Sequence, residues 1–172
     1  MTRRTSPPTP QTPAGGVTRY GDRIFDAKRH DPYQAAGKYT EPTRCATCGA
    51  VFHRGRWQWA GAPQDSHMAL CPACQRIRDK LPAGELTLEG AFVHAHRAEL
   101  VRLVRNEAEH EGKEHPVHRI MQLDEGADRV LVSTTDIHLP QRIGEALKRA
   151  YDGELQVHYG HDEYSVRVHW RR

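Results

Sequence analysis

Four cysteines carry the clearest chemistry in the chain. Cys45-Ala-Thr-Cys48 and Cys71-Pro-Ala-Cys74 are two C-x-x-C pairs with 22 residues between them. A tetrahedral zinc site takes four thiolates about 2.3 Å from the ion, and each C-x-x-C turn presents two of them. Gly49 directly after the first pair suits a tight turn. The spacing therefore predicts one structural Zn2+ on Cys45, Cys48, Cys71 and Cys74, with a β-hairpin in the spacer, as in a zinc ribbon. A catalytic zinc keeps one position open to water or substrate, and four cysteines leave none. The metal is expected to fold the chain rather than to react. Cys71 and Cys74 taken alone also fit a thiol-redox pair, a reading that calls for a helix inside a β-α-β unit.

The spacer holds Val51-Phe52-His53-Arg54-Gly55-Arg56-Trp57-Gln58-Trp59, which sets two tryptophans beside two arginines. Aromatic faces stack bases and guanidinium groups hold phosphates, so Arg54, Arg56, Trp57 and Trp59 are candidate RNA contacts. Trp57 and Trp59 alternate on one strand face, so they equally suit a cover for the zinc knuckle or an anchor in a protein interface. Arg76, Arg78 and Lys80 follow the second pair, on a short helix expected to start at Cys71. They extend the basic surface or form a solvated face.

These residues need elements to hold them. Leu, Ile, Val and Phe make up 30 of 172 residues, a low share for a globular domain. Residues 1–44 hold only Val17, Ile24 and Phe25 of that set, with six prolines, eight basic and four acidic residues. Such a segment cannot bury enough apolar area to offset its ordering, and it reads as a disordered basic arm. Residues 45–80 are the zinc ribbon. Residues 81–116 read as a linking amphipathic helix from Leu88 to His110, capped by Thr87, with Phe92, Val93, Leu100, Val101, Leu103 and Val104 as its apolar stripe. Residues 117–172 read as a ββαββ unit with an antiparallel sheet. Its strands are Val117–Leu123, Arg129–Thr134, Leu155–Tyr159 and Tyr164–Trp170, and Ile143, Ala146, Leu147, Ala150 and Tyr151 mark its helix. The fold class is thus α+β. The open face of the last hairpin carries Arg167 and His169, two further candidate RNA contacts, although any half-exposed sheet needs a polar face.

Other chemistry is weaker. His94 and His96 do not share a helix face, and His115 and His118 flank Pro116 in a loop, so the sequence gives only weak support to a second metal site on the histidines and leaves it open. Their titration near pH 6.5 would strengthen polyanion binding on acidification. Thr134, Thr135, Asp136 and His138 resemble a hydrolytic set, but they sit where a helix begins, and capping accounts for Thr135 and Asp136. No Walker A or Gly-x-Gly-x-x-Gly pattern occurs, which excludes the common nucleotide-cofactor loops. No apolar run reaches membrane length or serves as a signal core, so the protein is expected in the cytoplasm. The net charge of +3 is a cancellation. The first 80 residues carry thirteen basic and six acidic side chains, and the remainder twelve and sixteen. A basic half beside an acidic half points to an anionic partner at one end.

From Arg44 onward the chain resembles a bacterial zinc-ribbon family found in low-oxygen stress gene clusters of betaproteobacteria. The resemblance rests on the two cysteine pairs, the Phe52–Trp59 string, Cys74-Gln75-Arg76-Ile77-Arg78-Asp79 and Thr134-Thr135-Asp136-Ile137-His138-Leu139. More distantly the chain is similar to the zinc-binding adaptor that escorts the large ribosomal subunit in eukaryotes, and to its archaeal homologues. That adaptor's further cysteine pairs are absent here, so its second metal site does not carry over. The resemblance implies association with the ribosome or other RNA and supplies no catalytic residue. The leading expectation is a non-catalytic, ribosome-associated RNA-binding stress protein. The alternatives are a protein-interaction adaptor in a transcription or stress complex, and an enzyme, either a thiol-redox protein on Cys71 and Cys74 or a hydrolase on Asp136 and His138.

Overall fold

A computed structural model describes residues 31–34, 39–160 and 163–172. It is an α+β chain, with two mixed sheets and three helices among the described residues. The first sheet is small, with strand order β3-β2-β1-β4. It comprises β1 (Thr43–Cys45), β2 (Val51–His53), β3 (Arg56–Gln58) and β4 (His67–Ala69). Arg54 and Gly55 join β2 to β3, both at positive φ (53° and 77°). A two-residue loop of that hand matches the twist of an antiparallel pair. β4 runs parallel to β1 and delivers the chain to α1 (Pro72–Asp79), which begins at the second cysteine pair.

The second sheet has the order β6-β7-β5-β9-β8 and is covered on one face by two helices. Its strands are β5 (Gly84–Glu89), β6 (Ile120–Glu125), β7 (Arg129–Thr134), β8 (Glu154–Tyr159) and β9 (Val166–Arg171). The helices are α2 (Ala91–Glu114) and α3 (His138–Tyr151). Leu86, Leu88, Val130, Val132, Val166, Val168 and Trp170 point from the sheet into a core that Val93, Leu100 and Val104 of α2 and Leu139, Ile143 and Leu147 of α3 complete. A separate small core of Cys45, Ala50, Phe52, Trp57, Cys71, Ala73 and Cys74 lies under the first sheet. No helix among the described residues is long and apolar enough to cross a membrane.

Two expectations are corrected. The linking helix does not start at Leu88, because residues 84–89 form the central strand of the large sheet and Thr87 sits inside it rather than at a cap. Leu86 and Leu88 alternate with Glu85, Thr87 and Glu89, and both leucines are fully buried. The chain turns at Gly90, whose φ of 110° favours glycine, and a Cβ there would lie 2.3 Å from the Arg172 carbonyl oxygen. A short apolar run before a helix fits either period, and ladder pairing on both edges, with β7 and β9, decides for strand. In consequence the sheet is not purely antiparallel: β5 lies between β7 and β9 and runs parallel to β9. Residues 117–172 do run strand, strand, helix, strand, strand, but they close around a strand from outside that stretch.

Most of the arm assigned to 1–44 lies outside the described residues. Its described parts pack: Asp31 and Thr43 are buried, and β1 begins within it.

Candidate metal centre

The two cysteine turns converge. The four sulfurs of Cys45, Cys48, Cys71 and Cys74 lie within 4.8 Å of one another, and Cys48 Sγ stands 3.8 Å from Cys71 Sγ. Thiolates 2.3 Å from a common ion define a tetrahedron with edges of roughly 3.8 Å, so the cluster has the size of a tetrathiolate site. Local backbone builds it. After Cys45 the chain reverses, with Gly49 N–H donating to the Cys45 carbonyl at 3.0 Å and Gly49 at φ 78°. Cys71 is the N-cap of α1, and its sulfur accepts from Cys74 N–H at 3.4 Å. Cys71 N–H in turn donates to Cys45 Sγ at 3.4 Å.

The protonation of the four thiols reflects their crowding. Burial pushes the Cys45 thiol up, but backbone N–H groups of Cys48, Cys71 and Thr47 outweigh it and bring it down to about 6. Cys71 is driven well above the usual thiol range by burial and by the sulfurs around it, and Cys74 is raised chiefly by burial. Four thiolates cannot share such a space without a cation, and a bound cation removes the conflict.

One cation is already at the site and comes from the other half of the molecule. Arg119, just ahead of β6, donates from Nη2 to Cys48 Sγ at 3.0 Å and from Nη1 to Cys74 Sγ at 3.5 Å. Burial works against its charge, and the Cys48 sulfur beside it outweighs that and holds it protonated. Its backbone is pinned by Thr135: Arg119 N–H donates to Thr135 Oγ1 and Thr135 N–H to the Arg119 carbonyl, both at 2.9 Å. A divalent ion with four thiolates is doubly negative, so a guanidinium in contact offsets half of that charge. No pattern in the sequence marks Arg119, because it lies 45 residues beyond the nearest cysteine.

The proposed RNA contacts separate. Arg54 and Arg56 are exposed at the hairpin turn. Trp59 is half-exposed, with its indole N–H donating to the Gly112 carbonyl at 2.7 Å. Trp57 is instead a core residue, edge-on to Phe52 and Tyr39 at centroid distances of 5.6 and 5.1 Å. Arg76 is likewise not on the surface. It is 3% exposed, ion-paired with Asp31 and stacked 4.4 Å over the Tyr33 ring, because α1 turns that side of its short cylinder inward. Arg78 is exposed and paired with Asp79 at 2.7 Å. Arg167 and His169 face outward on β9 but do not make a basic surface. Glu85 of β5 pairs in register with Arg167, and Glu89 with Arg171, and the Arg167–Glu85 ion pair measures 3.6 Å. The inserted strand supplies the charges that neutralise that face.

Asp136 behaves as a cap: its Oδ2 accepts from the N–H groups of His138 and Leu139 at 2.6 and 3.0 Å. It also lines a cleft of about 650 Å3 between the two sheets, together with Tyr39, Trp57, Arg56, His115, His118 and Tyr164. Burial holds the Asp136 carboxyl above its ordinary range, and burial with the Asp31 and Asp136 carboxylates pushes Tyr164 up to about 12. Compared with known proteins, the chain matches no family model, no curated protein and no solved structure.

Proposed function

We propose that the protein is a cytoplasmic, non-catalytic zinc-ribbon protein that binds RNA, ribosomal RNA foremost, through the β2–β3 turn. The observation that carries this reading is the pair Arg54 and Arg56, both exposed at the tip of the β2–β3 hairpin of the sheet that carries the four-cysteine cluster. The excess of basic over acidic side chains in the first 80 residues supports it. Zinc suits four thiolates at this spacing and has no redox chemistry of its own. The contact set is smaller than the sequence indicates: Arg54, Arg56, Arg78 and Trp59 remain available, while Trp57 and Arg76 serve the core. Co-sedimentation with ribosomes across a salt series tests the reading. Ribosomal association that weakens with salt and falls at least tenfold in Arg54→Glu/Arg56→Glu is expected; absence from ribosomal fractions at low salt refutes it.

A second reading, a protein-docking module, is favoured by the ribbon's exposed apolar side chains. Met68, Ile77 and Leu81 are 62%, 42% and 56% exposed. The same arginine reversals would then leave partner binding intact.

A further inference from the structure

At the wall of the cleft between the two sheets, where His115 and His118 line it, lies a second group of metal-ligating side chains that shares no residue with the cysteines. Glu111 sits in the last turn of α2, His115 is its C-cap residue, and His118 follows in the turn towards β6. One ligand atom from each lies within 4.8 Å of the others. Glu111 Oε1 is 2.8 Å from His118 Nδ1 and 3.7 Å from His115 Nε2. Ligand atoms about 2.0–2.2 Å from one ion stand roughly 3.4 Å apart in a tetrahedron; the two Glu111–histidine distances bracket that spacing, and the ligand nitrogens of the two histidines stand within 4.8 Å of each other.

From these residues we propose a second metal site, in which Glu111, His115 and His118 bind a divalent first-row transition-metal ion. Three further observations support it. Glu111 is 5% exposed, deep for a carboxylate on a helix, and Arg142 Nη1 holds its other oxygen, Oε2, at 2.8 Å. That contact fixes the carboxylate with Oε1 turned to the histidines, the arrangement an outer partner gives a metal ligand. Asp136 lines the same cleft, is 5% exposed, and keeps Oδ1 buried without a hydrogen-bond partner. Trp57, on the opposite wall, keeps its indole N–H buried and equally without a partner. A buried acceptor and a buried donor left unpaired are costly unless something enters the cleft to meet them. Two imidazoles and one carboxylate suit zinc and its neighbours rather than calcium or magnesium, which take oxygen ligands. Three protein ligands leave one position open, facing the cleft. The site stands independently of RNA binding by the hairpin.

Cobalt substitution tests the site on the full chain. The thiolate site gives sulfur-to-cobalt charge transfer on the first equivalent of Co2+. A second equivalent is expected to bind without adding to that band, and elemental analysis of the zinc-loaded protein should return two ions per chain. His115 is half-exposed, so His115→Gln should leave the sulfur band, and hence the fold of the ribbon, unchanged while weakening the second ion at least tenfold. His115→Gln/His118→Gln should bind one ion only. A wild-type chain that holds one ion, or a second ion retained at unchanged affinity in His115→Gln, overturns the proposal.

Discussion

Arg119 is placed to set how tightly the cysteine cluster would hold a metal ion. Its guanidinium touches three of the four sulfurs, those of Cys48, Cys71 and Cys74, and such outer partners contribute about 10–100-fold to metal affinity. Arg119→Ala is therefore expected to lower zinc affinity by that factor in a chelator competition. Arg119→Lys should recover only part of it, because an ammonium cannot span two sulfurs as a fork does. The cysteine ligands themselves were legible in the sequence because two C-x-x-C pairs encode a local geometry. Arg119 was not, since its role exists only once the halves dock. Glu111 left a faint trace. It falls seven residues after Val104, on the buried stripe of α2 that Val93, Leu100 and Val104 define. A carboxylate on an apolar stripe marks either strain or a site, and the count of acidic residues near the helix end obscured it.

The strand at 84–89 is the element on which the second sheet depends. It has neighbours on both sides, β7 antiparallel and β9 parallel, and Leu86 is fully buried at its middle. Leu86→Ala should cost about 2–5 kcal/mol in urea unfolding. Asp136→Ala removes a cap that accepts two backbone N–H groups and should cost about 1–2 kcal/mol by the same measurement. The hairpins and the helix of the C-terminal half were readable because each has its own period, two in the strands and 3.6 in the helix. The central strand was not, because six residues with two leucines carry too little pattern to compete with the long helical stripe beside them. The expectation of a basic sheet face has the same cause, for Glu85 and Glu89 stand in register beside Arg167 and Arg171 only when the strand is in place.

At the scale of the molecule there are two cores of unequal kind. The larger joins both long helices to the second sheet, and the smaller is built around the cysteines with Phe52 and Trp57. Stripping the metal with a chelator is expected to loosen residues 43–80 while 84–172 stay folded. Hydrogen exchange would show amides of β1–β4 losing protection. Tryptophan fluorescence would shift to the red as Trp57 meets water, while Trp170, sealed in the larger core, stays dark to quenchers. Protection lost equally across both cores would contradict this division. The Arg119 contact carries one more consequence, for the thermodynamics of the whole. It ties occupancy of the cysteine site to the posture of one half against the other, so the two equilibria are linked and the linkage is reciprocal. Whatever fills the cleft and holds the halves together must tighten the grip on the thiolate-bound ion by the same factor by which that ion tightens the cleft.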